Sequence, residues 1–284
     1  MDRREFGRLI TFLLLSPNLI FGKEAKETRR VFSNIIEKAK SERWIDLPIK
    51  TLFCKVAFEL LDFPYIAGSL DIDGIETCIV TFDGFDCVTF FEVSLCLARV
   101  IKKKLTEFQD LLKEVTFTRY RGGQIVDYTS RLHYSADWIY DNIRKRVVED
   151  RTRQLGGIPV HFDLNFMSTH PELYPALRNN PNFVEKIKQI EKEINQREYY
   201  VIPESRINEV ENSLVSGDII FFTTSKKGLD YSHIGICYVE NQSPRLLHAS
   251  SKKNKVVLDK RISEYVKSVP STSGITIVQP LEPV

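Results

Sequence analysis

Residues 83–104 read DGFDCVTFFEVSLCLARVIKKK. Val88, Phe90, Phe91, Val93, Leu95, Leu97 and Val100 make the stretch apolar nearly all round, and a helix with that pattern is central and buried. Asp86 has the residue type and place of an N-cap. Lys102, Lys103 and Lys104 suit the negative end of the helix dipole. Cys87 then falls in the first turn, where unpaired backbone N–H groups point outward. The dipole there favours a thiolate over the ordinary thiol pKa of about 8.5, and the same N–H groups are able to hold an oxyanion. The plain alternative is a buried thiol acting as a small hydrophobe, the commoner role of a free cysteine. Cys96 reads as that kind of core thiol.

Upstream, Phe32, Ile35, Ile36 and Ala39 recur at helical spacing and predict an amphipathic helix over 26–40. Pro48 opens a second helix, whose apolar stripe is Ile49, Leu52, Phe53, Val56, Leu60 and Leu61. Pro64, Gly68 and Gly74 break the pattern, and TCIVTF (77–82) predicts a short strand leading into Cys87. Residues 117–180 form a loop-rich, aromatic insertion, followed by one more helix over 182–196. The last third is different. GDIIFFTT, SHIGICYV, RLLHAS, KVVL and GITIVQ are short β-rich runs separated by turn residues. Helices first and neighbouring strands later predict an α+β fold with an antiparallel sheet.

A cysteine nucleophile needs a base. The chain has five histidines. In YSHIGICYV (231–239) strand alternation puts His233, Gly235 and Cys237 on one face, leaving Ile234, Ile236 and Tyr238 for the other. His248 holds a similar place on the next run, sharing a face with Leu246 and Ser250. If the two runs are hairpin neighbours, the histidines lie side by side, as base and orienter.

Composition excludes several classes. The chain has 284 residues, 43% hydrophobic and 27% charged, with a net charge of +2. Such a balance gives no field for nucleic acid. Five cysteines without a C-x-x-C pair make neither a zinc ribbon nor a disulfide scaffold. His161, Asp163 and His170 lie in a turn-rich segment without metal-ligand spacing, and H-E-x-x-H is missing. No metal and no cofactor is therefore expected. At the N-terminus, Arg3, Arg4, Phe6 and Arg8 precede an apolar run from Leu9 to Phe21, which resembles a twin-arginine export signal and is short for a membrane span. Pro17 and Asn18 argue against a plain helix, and no small-x-small cleavage site precedes Lys23. The expected organisation is a signal segment over 1–25 and one catalytic domain over 26–284, with the protein exported to the periplasm or cell envelope and no stable membrane span in the mature chain.

FDCVTF (85–90), GDIIFF (217–222), SHIGICY (232–238) and LLHASS (246–251), in that order, resemble the NlpC-type superfamily of cell-wall cysteine hydrolases. The resemblance implies a papain-like fold whose nucleophile begins a central helix packed on an antiparallel sheet. FPYIAGSL (63–70) is similar to the tyrosine–glycine segment that enters such active sites. RYRGG (119–123), SRLHYSADW (130–138), the LGG after Asp150-x-Thr152, and NFMSTHPELYPAL (165–177) resemble one subfamily, the N-acetylmuramoyl-L-alanine amidase-like proteins. Carried over, the resemblance implies Cys87 as nucleophile, His233 as general base and His248 as orienting residue. It implies Tyr65 and Asp86 as oxyanion or positioning groups. Arg131, His133, Tyr134, Trp138 and Ser232 become candidates for binding substrate, with Arg131 meeting a peptide carboxylate. The implied substrate is a peptidoglycan fragment, cut between N-acetylmuramic acid and L-alanine. Rival readings are a γ-D-glutamyl-diamino-acid endopeptidase and a non-catalytic cell-wall binding module.

Overall fold

Asp86 starts the central helix as the sequence predicts. Its side chain accepts the N–H groups of Val88 and Thr89, and Thr89 Oγ1 accepts the Asp86 N–H in return, closing a capping box. The helix runs Cys87–Lys102 and is buried without a break from Thr89 to Ile101. Four polar side chains in that run, Thr89, Glu92, Ser94 and Arg99, are buried with it. Two of them are charged and paired, Glu92 with Arg119 and Arg99 with Glu114. A buried charge is tolerated on those terms.

The computed structural model describes residues 23–71 and 74–284. The helices of the first half are α1 (Lys23–Ser41), α2 (Ile49–Glu59), α3 (Cys87–Lys102), α4 (Phe108–Arg119) and α5 (Ser135–Arg144). Next come β1 (Val148–Asp150), β2 (Ile158–Val160), α6 (Phe166–Thr169), α7 (Pro175–Arg178) and α8 (Pro181–Asn195). The rest is β3 (Tyr199–Pro203), α9 (Ile207–Val210), β4 (Ile219–Thr224), β5 (Tyr231–Glu240), β6 (Ser243–Ser250), β7 (Lys255–Arg261), α10 (Ile262–Lys267) and β8 (Thr272–Pro280). The expected signal segment over 1–25 lies outside the described residues, apart from the backbone of 23–25, which opens α1. No helix of the described residues is long and apolar enough to cross a membrane.

The strands pair antiparallel in the order β2-β3-β8-β4-β5-β6-β7, and β1 joins β8 beside β3. The fold is thus α+β, with an antiparallel sheet. One face carries the larger core, formed with α1 to α5, in which Phe91, Trp138 and Phe221 meet edge-on or tilted. The other face carries a smaller core of Ile220, Phe222, Cys237 and Leu246, covered by α9 and α10 through Ile207, Val210, Ile262 and Val266.

The strand expected over 77–82 does not form. That segment is outside the sheet, and side chains bond its backbone: Arg119 donates to Ile79 O and Tyr120 to Thr77 O, while Phe82 N–H donates to Thr28 Oγ1. Alternating apolar residues fit a groove between helices as well as they fit a sheet, so periodicity alone did not separate the two.

Candidate active site

The sheet opens where the chemistry sits. Pairing of β5 with β6 ends at Ile236–Leu247, and toward the start of β5 the two strands part. The backbone N–H groups of Ile234, Cys87 and Val88 are the neighbours that favour a Cys87 thiolate. The first turn of α3 therefore sits at the fork between β5 and β6.

The expected lowering of the thiol pKa does not occur. Burial pushes Cys87 up to about 12, the Asp86 carboxylate adds to that, and the three N–H groups only partly offset it. The helix dipole favours the thiolate, but desolvation of a densely surrounded sulfur is the larger effect.

His233 and His248 meet as predicted, but diagonally. Continuing the β5–β6 register places Gly235 opposite His248, so the His248 ring crosses obliquely to His233. Nε2 of His233 and Nδ1 of His248 are 2.6 Å apart. Gly235 makes that crossing possible: a Cβ there would lie 2.5 Å from Leu246 Cδ1 and 3.1 Å from His248 Cβ. Gly235→Ala is expected to push His248 off His233. A roughly tenfold loss of kcat and a loss of about 1–3 kcal/mol of stability are expected, read by steady-state kinetics and urea unfolding.

The relay continues to a residue that the sequence reading missed. His248 Nε2 lies 3.4 Å from Asp259 Oδ2, and Lys253 Nζ is 2.8 Å from Asp259 Oδ1. His248 stands opposite Val257 in the β6–β7 ladder, so Asp259 is again a diagonal neighbour. Burial works to raise the Asp259 carboxyl, but the bonds from Lys253, the Lys260 N–H and His248 outweigh it and bring it down to about 2. An ionised Asp259 only accepts, so His248 Nε2 carries the proton and His248 Nδ1 is bare. His233 Nε2 must then donate to it, which leaves the lone pair on His233 Nδ1. The contacts and the ionised Asp259 together leave Nδ1 as the His233 nitrogen able to accept a proton. The one signal in the sequence was an aspartate inside the apolar run KVVLDKR, where strands disfavour it.

Cys87 and His233 line one cavity of ≈ 200 Å³ together with His133, Tyr134, Met167, Tyr174, Asp230 and Ser232. The loop-rich insertion supplies His133, Tyr134, Met167 and Tyr174. His133 Nε2 donates to the Tyr128 carbonyl at 2.9 Å, which leaves Nδ1 as a bare acceptor. The Tyr134 hydroxyl is spent on Glu191 Oε1 and the Met167 N–H, so Tyr134 offers its ring rather than a donor. Ser232 is exposed at the mouth. Tyr65 is half-buried, and burial first, then its nearness to Cys87 and Asp86, raises its phenol.

Two expected binding residues are placed elsewhere. Arg131 is 9% exposed, with its guanidinium bound to both Glu76 carboxylate oxygens at 2.8 Å, to Leu70 O and to Asp71. It ties down the loop that follows Tyr65 and has no free edge for a substrate carboxylate. Trp138 is a core residue, 3% exposed, with its indole N–H on Glu92. Helical position decides this: α5 turns Trp138 toward the sheet, whereas Tyr134 precedes the helix and faces the cavity.

Burial lowers His133 to about 3, His233 to about 3 and His248 to about 4. Each is neutral when folded and takes up a proton on unfolding below about pH 6.5. Their contribution is therefore intact above that pH and falls away toward the folded values. Asp230 has the opposite sign, because burial raises it to about 6, and the raised Asp150 and Asp218 act alike. The histidines prevail, and stability is expected to drop by on the order of 2 kcal/mol per pH unit between pH 6 and 5. Urea midpoints measured across that range check the slope.

A protein-family model described as AmiA-like, N-acetylmuramoyl-L-alanine amidase-like, matches residues 55–275. Among solved structures, an N-acetylmuramoyl-L-alanine amidase from Bacteroides uniformis is similar at TM-score 0.78 and 32% identity, covering 82% of this chain and 99% of its own. A Bacteroides fragilis protein provisionally named a xylanase is similar at TM-score 0.74 and 36% identity, covering 79% of this chain and 99% of its own. A Legionella pneumophila protein, 19% identical, shares the fold at TM-score 0.69, covering 92% of this chain and 97% of its own. No curated protein matches.

Proposed function

The chain belongs to the N-acetylmuramoyl-L-alanine amidase-like family, and from that premise we propose that it is a cysteine amidohydrolase of peptidoglycan fragments. The observation that carries the reading is the oriented relay Asp259–His248–His233, which ends on the cavity that holds Cys87. In the resting site burial favours a neutral thiol beside a neutral imidazole. Attack of the sulfur on the amide carbonyl is coupled to transfer of its proton to His233 Nδ1. The imidazolium so formed is stabilised through His248 by the Asp259 carboxylate. The Cys87 N–H and the Tyr65 hydroxyl supply donors to the oxyanion. His233 then protonates the departing amine, leaving a thioester on Cys87. Water, deprotonated by His233, hydrolyses the thioester to a carboxylic acid and restores the thiol.

The bond we assign is the amide between the lactyl group of N-acetylmuramic acid and L-alanine. A cavity walled by the 117–180 insertion suits fragments over intact wall. The same reading carries the NlpC-type, papain-like assignment of the fold and an exported protein, with the signal and domain limits given above. A glycosidase reading, which the name of the Bacteroides fragilis relative raises, fits the cavity poorly. Glycoside hydrolysis generally needs two carboxylates across the bond. Among the described residues lining the cavity the carboxylate is Asp230, and it already accepts the Ala136 and Tyr231 N–H groups.

Incubation of the protein with defined muropeptides, followed by mass spectrometry, tests the proposal. Free sugar acid and intact stem peptide are expected. A sugar that keeps L-alanine and D-glutamate would assign the endopeptidase instead. Unchanged muropeptides would leave the binding-module reading.

A further inference from the structure

The His233 ring packs against two aromatic rings from different layers of the fold that also touch each other. Phe222, its direct partner across the β4–β5 ladder, has its ring centroid 5.8 Å away at an interplanar angle of 36°. The Tyr265 ring is stacked on it at 5.4 Å and 29°. Tyr265 comes from α10, the short helix that covers the smaller core, and it also meets Phe222 at 4.9 Å and the edge of His248 at 5.3 Å. One side chain therefore touches both members of the histidine pair. Its hydroxyl makes no hydrogen bond among the described residues, so ring packing is what holds it. No sequence motif pointed to this residue, and the established family assignment does not give it a role.

We infer that Tyr265 is a positioning residue: its ring, backed by Phe222, stacks on the His233 imidazole and holds it in the orientation that keeps Nε2 on His248 and leaves Nδ1 free as the acceptor. An imidazole has a two-fold, soft terminal torsion, and a ring flip would put Cδ2 in the place of Nδ1 and take Nε2 off His248. The stack removes that alternative. It also places two aromatic faces beside the imidazolium that forms during attack, and a ring face attracts a cation. The ring does this without the hydroxyl. The inference rests on Cys87 and His233 acting as nucleophile and base.

Three variants separate this role from simple support of the core. Tyr265→Phe keeps the ring and is expected to hold kcat within about threefold. Tyr265→Leu removes the stack and is expected to lower kcat roughly 30- to 100-fold with KM within about threefold. Val266→Ala, from the buried face of the same helix, should lose thermal stability and keep its kcat. The second readout needs no turnover: nitrogen NMR of the imidazole should give one Nε2–H tautomer for His233 in the wild type and in Tyr265→Phe, and mixed tautomers in Tyr265→Leu. If Tyr265→Leu keeps wild-type kcat, or if its His233 spectrum stays unchanged, the inference is overturned. If the wild type cleaves no muropeptide, the hydrolase reading fails, and the tautomer spectrum still decides the positioning role.

Discussion

Cys87→Ala is expected to lose roughly 10⁴-fold in kcat/KM and to melt within about 2 °C of the wild type. The first number follows from chemistry. Without the sulfur there is no covalent intermediate, and what is left is binding plus the oxyanion donors. The second follows from place. Cys87 begins α3 and keeps part of its surface, while Thr89 to Ile101 carry the burial that holds the helix. The Asp86 cap does not involve the sulfur. Alkylation gives an independent check. With burial holding the thiol at about 12, iodoacetamide should modify Cys87 slowly at pH 7 and faster as pH rises beyond 9. Kinetic assays, differential scanning calorimetry and peptide mapping read the three outcomes.

His233→Ala is expected to cost about 10³- to 10⁴-fold in kcat, with KM little changed. The neutral resting pair makes this loss larger than it would be for a preformed thiolate, because the thiol then depends on its base at the moment of attack. His248→Ala should cost about 10²-fold, since His233 keeps its nitrogen but loses the acceptor that fixes its tautomer. Asp259→Asn should cost about tenfold by the same reasoning, one bond further out. The three losses should not add, because the residues act as one unit. Burial keeps His233 neutral down to about 3, so imidazole protonation is not expected to set the acid limb of kcat. Acid unfolding should set it, and circular dichroism under the assay conditions distinguishes the two.

Much of this site was legible in the sequence, for physical reasons that differ by residue. Asp86 and Cys87 were legible because a cap and a first turn are local. His233 and His248 were legible because strand alternation fixes faces and hairpin neighbours meet. Their diagonal contact, and the need for Gly235 beneath it, depend on register, which the residues alone do not state. Asp259 and Tyr265 reach the site from β7 and α10, and no periodicity announces such a meeting. Arg131 and Trp138 were misplaced for a common reason: residue type suggested binding, while Glu76 and Glu92 had already taken the guanidinium and the indole N–H. The thiol was misjudged because helix position is visible in a sequence and desolvation is not. The fold class needed only the change from helical spacing to short β-rich runs after Gly217.

The most direct test is the mass of the trapped acyl-enzyme. A muropeptide reaction is quenched in acid within milliseconds, and the peptide containing Cys87 is weighed. The account predicts a thioester on Cys87 carrying the muramoyl sugar and no amino acid. An adduct on another residue, or one that still carries L-alanine and D-glutamate, would contradict it.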